Sequence, residues 1–346
     1  MATVQRSVRR RIGVIYSFLI VFSLAVWIWA FVALHGQPVL LGTAMVAYGL
    51  GLRHAVDADH IAAIDNVTRK LMQEGKKPVT VGLFFALGHS SVVLVASAAV
   101  ALTASALGAR SSGLREIGAT VGTLVSFGFL WLIAVVNLLT LRGIWVAFRR
   151  VRQSGVYEHE DLDTLLVKGG VAARFFRPLF GLMRHSWQMF PLGFLFGLGF
   201  ETATEVMLLG MSAEQASHGV SLASILLFPA MFAAGMTLVD TTDGALMMGA
   251  YGWAFIKPVR KLYYNIVVTL TSAAVAFLVG GVEALGLLND HFGFTGAFWS
   301  LVATLNSHFG MLGYAVVALF VVCWGVSVLV YRLRRFDEIG ASVVER

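Results

Sequence analysis

The chain has 346 residues, 58% of them apolar and only 13% charged, with a mean hydropathy of +0.79. A soluble domain sits nearer 45–50% apolar and about 25% charged, so this composition excludes a soluble globular protein. A net charge of +7 with a pI near 9.8 would suit a nucleic-acid binder, but the cations lie between apolar runs. No nucleic-acid partner is therefore expected.

The apolar runs are roughly 20 residues or longer, enough to cross about 30 Å of hydrocarbon as helix. They predict an all-α polytopic membrane protein, a single domain over residues 1–346, with about eight spans: 13–34, 39–67, 79–107, 117–141, 187–211, 220–255, 265–288 and 310–331. Arg6, Arg9, Arg10 and Arg11 precede the first run. That run is longer than the apolar region of a signal peptide, which predicts an uncleaved first helix. Of the 26 Lys and Arg residues, 23 fall in the N-terminus, the 68–78, 142–186 and 256–264 connections, and the C-terminal tail. By the positive-inside rule these face the cytoplasm, placing both termini inside a bacterial cytoplasmic membrane. The 142–186 connection is the one long cytoplasmic loop. The single cysteine, Cys323, lies in the last run and allows neither a disulfide within the chain nor a two-cysteine redox motif.

The second span contains Arg53-His54-Ala55-Val56-Asp57-Ala58-Asp59-His60. Charged residues inside a span cost about 2.5–3.5 kcal/mol each on insertion scales and mark functional sites. On a regular helix His54, Asp57 and His60 share about 120° of arc while Asp59 points elsewhere. All four converge on one ion only if the helix is distorted, and Gly49 and Gly51 are the expected place for a break. The third span adds His89, in Leu87-Gly88-His89-Ser90-Ser91. The fifth carries Glu201 and Glu205 one turn apart with Thr202 and Thr204 between them, and the sixth carries Asp240 and Asp243. These acids are candidates for a proton relay, for ligands, or for supports that orient the histidines. Pro191 and Pro229 offer breaks in the same two spans. Imidazole with carboxylate and no thiolate suits a borderline divalent ion such as nickel, cobalt, zinc or manganese.

A weak internal repeat relates Gly49-Leu50-Gly51-Leu52 to Gly197-Leu198-Gly199-Phe200, and Phe85-Ala86-Leu87-Gly88 to Phe232-Ala233-Ala234-Gly235. A three-span offset would make it an inverted-topology repeat of spans one to three and four to six, with the site at the midplane between the halves.

Four motifs stand in order over nearly 200 residues: Arg53 to Lys70 (RHAVDADHIAAIDNVTRK), LGHSSVV at 87–93, LGFETATE at 198–205 and GMTLVDTTDG at 235–244. Together they resemble the signature set of the nickel/cobalt transporter family. The resemblance implies an eight-span secondary permease that imports nickel or cobalt as substrate, with no cofactor. It also implies that His54, Asp59 and His60 are the essential metal-binding set. Glu201 departs from the family's usual aspartate, and the first span offers Ser23 where members often carry Asn or His linked to metal choice. No G-x-x-x-x-G-K-[ST] loop is present, so neither ATP hydrolysis by this chain nor an ATPase partner is expected. The alternatives are an efflux protein, disfavoured by a 142–186 loop that is not histidine-rich, and a metal-dependent membrane enzyme, for which H-E-x-x-H is missing.

Overall fold

In the computed structural model the described residues are 2–104, 183–198, 203–254 and 258–333, with short runs between 124 and 149. Among them the continuous α-helices are α1 (Ala2–Ala33), α2 (Pro38–His54), α3 (Ala58–Gln73), α4 (Val81–Ala104), α5 (Met189–Gly197), α6 (Ala203–Ser217), α7 (Leu222–Ile225), α8 (Leu227–Ala254), α9 (Pro258–Phe292), α10 (Ala297–Ser307) and α11 (Phe309–Leu333). There is no strand among the described residues. In hydrocarbon every backbone polar group must be satisfied within the protein, and helices do this segment by segment. The chain is an all-α, multi-pass membrane protein.

Five helical segments are long and apolar enough to cross a bilayer, and α2 with α3 makes a sixth as a pair bent by 53°. The expected span 117–141 falls on residues described only in short runs, and most of the 142–186 loop lies outside the described residues. The span expected at 187–211 is divided between α5 and α6, with 199–202 outside the described residues. Helix α10 was not anticipated. It buries Val302 but exposes Phe298 and Leu301, so it gives no long apolar run.

The second expected span is broken, and not at its glycines. Helix α2 runs through Gly49 and Gly51 to His54, and the chain turns over 55–57 before α3 begins. Gly51 serves a packing contact instead: a Cβ there would stand 2.1 Å from the Phe232 carbonyl oxygen of α8. Reciprocally, a Cβ on Gly235 would stand 2.5 Å from the Tyr48 carbonyl oxygen. The same arrangement joins α4 to α5, where Gly193 faces the Phe85 carbonyl and Gly88 faces the Phe190 carbonyl. In both crossings the residue three positions before each glycine supplies the facing carbonyl. The structural counterpart of Gly51 is thus Gly193, six residues before the Gly199 that sequence matching selected, while the match of Gly88 to Gly235 keeps its register. Small residues at such crossings let membrane helices approach backbone to backbone.

The prolines do not interrupt α5 or α8 internally, although the one-residue gap at Leu226 between α7 and α8 lies just before Pro229. Pro191 and Pro229 each occupy the first turn, of α5 and α8, where the missing N–H has no intrahelical partner to lose.

Helix α3 lies innermost. Every residue from Ala58 to Met72 is buried except Asp59. Its apolar side chains divide among three cores: Val67 and Leu71 meet Phe85 and Met189, Ile61 meets Leu130 and Val275, and Met72 joins Ile15 and Tyr251. Arg69 and Lys70, assigned above to the 68–78 connection, lie inside α3 and are buried. That explains the poor hydropathy of this span: its polar groups face protein and not lipid.

The two glycines of the second span should respond differently to substitution. Gly49 has nothing within 4 Å of an added Cβ, whereas Gly51 abuts backbone. Gly49→Ala leaves the thermal midpoint of the purified protein unchanged or slightly raised. Gly51→Ala costs about 1–3 kcal/mol or more, as overpacking against rigid atoms does. Equal midpoints for the two variants would contradict the crossing.

Candidate metal centre

The break at 55–57 brings the second-span residues together. Asp57 is the N-cap of α3, with extended backbone angles (φ −67°, ψ 147°), yet its side chain makes no capping hydrogen bond. Its carboxylate is buried, neither oxygen has a hydrogen-bond partner, and Oδ2 lies 3.2 Å from His54 Nδ1. An aspartate at this position ordinarily caps the helix, so its charge is directed into the bundle instead. Arg53, partly exposed, is 3.9 Å from Oδ1. On the other side of the break, α11 presses in so closely that a Cβ on Gly313 would stand 1.6 Å from the Val56 carbonyl oxygen.

His54 at the end of α2, His60 in the first turn of α3 and His89 in the middle of α4 are all buried. Each offers a ring nitrogen within 4.8 Å of the other two. Ring centroids are 4.7 Å apart for His54 and His60, and 4.8 Å for each of the other two pairs. Phe85 packs edge-on against His60 with centroids 4.8 Å apart, and Phe232 lies 5.3 Å from His54. These aromatic walls keep the imidazoles in fixed orientations.

Each imidazole also meets an oxygen from another helix. The Thr204 hydroxyl of α6 is 3.1 Å from His54 Nδ1. Asp240 of α8 places its two carboxylate oxygens 3.4 and 3.3 Å from His60 Nδ1. Glu205 Oε1 of α6 is 2.8 Å from His89 Nε2, which is itself 2.9 Å from His54 Nε2. The remaining nitrogen of His60, Nε2, is buried with no hydrogen-bond partner. Orphaned buried polar atoms of this kind are rare in native proteins and call for an explanation.

Among the sequence-selected residues, His54, His60 and His89 converge, with Asp57, Asp240 and Glu205 against them. Asp59 follows Ala58 in the first turn of α3, only partly buried, with an unpartnered Oδ1. It is not in the histidine group. Asp243 lies one turn beyond Asp240, its Oδ2 also unpartnered. Glu201 and Thr202 lie outside the described residues. Thr204 was not selected by the sequence reading. Its only signal is its place between Glu201 and Glu205, and it reaches His54 from the part of α6 that lies against α2.

A polytopic helical bundle with three imidazoles and several carboxylates buried at a broken helix defines the class: a membrane protein with an intramembrane cluster of metal-ligand type. Residues 40–330 match the family described as high-affinity nickel-transport protein, and the chain belongs to that family. It is 56% identical over 330 residues to the high-affinity nickel transport protein of Cupriavidus necator, covering 95% of this chain and 94% of that one. It is 49% identical to the hydrogenase nickel incorporation protein HupN of Bradyrhizobium diazoefficiens, over 92% of this chain and 84% of that one. The cobalt transport protein NhlF of Rhodococcus rhodochrous is 39% identical over 95% of this chain and 94% of its own. No solved structure matches the chain. The family consists of transport proteins, and the chain is a permease, not an enzyme.

Proposed function

We propose that the protein imports nickel or cobalt, as the divalent ion, across the bacterial cytoplasmic membrane as a secondary transporter. On this reading one transmembrane domain spans residues 1–346, with both termini and the 142–186 loop in the cytoplasm. Placing Arg69 and Lys70 inside α3 leaves the excess of basic residues on that side intact.

The observation that carries the proposal is His60 Nε2, buried and unpartnered beside the ring nitrogens of His54 and His89. In metal sites a ligating histidine typically gives its second ring nitrogen to a carboxylate or other oxygen, which fixes the tautomer and aims the free lone pair at the ion. Asp240 does this for His60, and the Thr204 hydroxyl does it for His54. Two nitrogens each about 2.05 Å from an ion stand about 2.9 Å apart at a right angle and about 3.3 Å apart at a tetrahedral angle. The 2.9 Å between His54 Nε2 and His89 Nε2 is compatible with two ligands at a right angle. It is equally a normal hydrogen-bond length for the ion-free protein. His54 sits at the C-terminal end of α2, where the helix dipole favours a cation, and the acids Asp57 and Glu205 add negative charge. Asp59 stands one residue from His60, placed to join the ion's coordination on entry or exit, and Asp243, with Glu201 and Thr202, would take part in its transit or in proton uptake.

No ATPase partner and no bound cofactor are needed. A membrane potential supplies about 2.3 kcal/mol per charge per 100 mV, hence about 4.6 kcal/mol for a divalent ion, enough for roughly a 10³-fold gradient.

Cells expressing the chain should accumulate radioactive nickel, cobalt or both above empty-vector cells, and the ratio of the two gives the preference. Accumulation at or below the vector level would remove import and bring efflux forward.

A further inference from the structure

Away from the metal centre, a cavity of about 510 Å³ opens between the start of α1, the α3–α4 connection and the segment leading into α5. Arg10 and Arg11 of α1 and Lys77 of the connection line it, together with the hydroxyl residues Thr80 and Ser186 and apolar Val14. No acidic side chain lines it. No hydrogen bond or ion pair joins Arg10, Arg11 or Lys77 to any described residue. Three uncompensated cations around one cavity repel one another, and an anion relieves that repulsion.

The walls are fixed by their neighbours. Lys76 donates to Glu74 Oε2 at 2.6 Å and to the Arg184 carbonyl at 2.7 Å, while Lys70 reaches the Met183 carbonyl and pairs with Glu74 at 3.1 Å. The backbone N–H groups of Arg184 and His185 both donate to Gln188 Oε1. The connection and the segment before α5 are thus tied together beneath the cavity, leaving Lys77 to face it.

The depth is set by two features. Trp187, next to Ser186, is 57% exposed, as tryptophans at the membrane–water boundary are. From the cavity, α1 continues with an outward apolar strip of Val14, Phe18 and Val21, all at least half exposed, which suits contact with acyl chains. A cationic recess at headgroup level, opening onto an apolar helix face, matches a molecule with a phosphate at one end and hydrocarbon at the other.

We infer that this recess binds the phosphate headgroup of an anionic phospholipid, with its acyl chains lying along α1. Basic pockets between membrane helices bind such headgroups, each nearby cation contributing about a fivefold gain in affinity. The recess lies outside the residues assigned to metal transport, so its test does not depend on transport.

The full chain, purified in detergent, is examined by native mass spectrometry and thermal melting with phosphatidylglycerol, cardiolipin, phosphatidylethanolamine or inorganic phosphate. The expected result is retention of phosphatidylglycerol or cardiolipin with a raised midpoint, and no comparable effect of phosphatidylethanolamine. Arg10→Gln, Arg11→Gln and Lys77→Gln combined should weaken retention roughly a hundredfold, while Arg149→Gln, outside the recess, leaves it unchanged. If the triple variant is not monodisperse, Lys77→Gln alone decides, with an expected loss of about fivefold. Equal retention of the zwitterionic lipid, or unchanged retention by the variants, overturns the inference. An equal shift from millimolar inorganic phosphate also overturns it, by assigning the recess to a soluble anion.

Discussion

Cells carrying His60→Ala accumulate no more nickel or cobalt than empty-vector cells, and the purified variant binds either ion more than a hundredfold more weakly. The ring of His60, on α3, meets groups from three other helices: it stands edge-on to His54 of α2 and to His89 and Phe85 of α4, and it meets Asp240 of α8. Truncation removes one of three nitrogens and leaves the Asp240 carboxylate buried with no imidazole beside it. Asp240→Asn keeps the shape but weakens the orientation of His60, and losses of about 10–100-fold are typical for such supporting groups. The order His60→Ala worse than Asp240→Asn is therefore the specific expectation. It is measured by isothermal titration of the purified proteins and by uptake, with gel filtration to show that both variants are folded. Normal binding by His60→Ala alongside a strong loss in Asp240→Asn would mean that carboxylates alone hold the ion.

The second large effect lies deeper in α3. Arg69 donates to Thr269 Oγ1 of α9 and to Asn66 Oδ1, each at 3.1 Å, and Asn137 donates to the same Asn66 oxygen at 2.7 Å. One turn before Arg69, Asp65 accepts from Ser272 at 2.6 Å and from the Tyr251 hydroxyl, and the guanidinium attracts its charge. Helices α3, α8 and α9 are thereby joined by a buried network around one cation and one anion. Arg69 and Asp65 make no direct ion pair, so the loss is that of the buried guanidinium's charged hydrogen bonds to Thr269 and Asn66 and of its attraction for Asp65, about 1.5–3 kcal/mol. Arg69→Met should lower stability by that amount in a thermal melt. Asp65→Asn added to it should restore a large part, since the amide still meets Tyr251 and Ser272 without carrying charge. A single variant within about 1 kcal/mol of wild type, or a double variant no better than the single, would rule out this electrostatic role.

The sequence pointed to His54, His60 and His89, which the fold brings together, but not to their arrangement. Buried histidines and acids in apolar runs are legible because they are costly wherever they lie in a bilayer. The break was expected at Gly49 and Gly51, since glycine is the usual mark of an irregular helix. Its setting is tertiary: α8 needs Gly51 for close approach, and α11 packs against Val56. Such contacts leave no trace in local propensity. Arg69 and Lys70 were taken for loop residues because a positive-inside count cannot distinguish a solvated cation from one enclosed by neighbouring helices. Thr204, visible between Glu201 and Glu205, does not stand out as a site residue for a related reason. Its relevance depends on which face of α6 lies against α2, and hydropathy does not mark that face inside an apolar run.

The backbone contact at Gly235 also sets how α8 can move. Its neighbour is the Tyr48 carbonyl, with no side chain between to slide or compress, so the contact acts as a fulcrum. Asp240 is five residues from that point, about 7.5 Å, and Ala254 is nineteen residues away, about 28 Å. A tilt of about 5° then displaces Asp240 by about 0.7 Å and the far end of the helix by about 2.5 Å. The lever multiplies motion nearly fourfold between Asp240 and Ala254, and a shift of about 0.7 Å at Asp240 is already enough to carry its 3.3 Å contact with His60 out of hydrogen-bonding range.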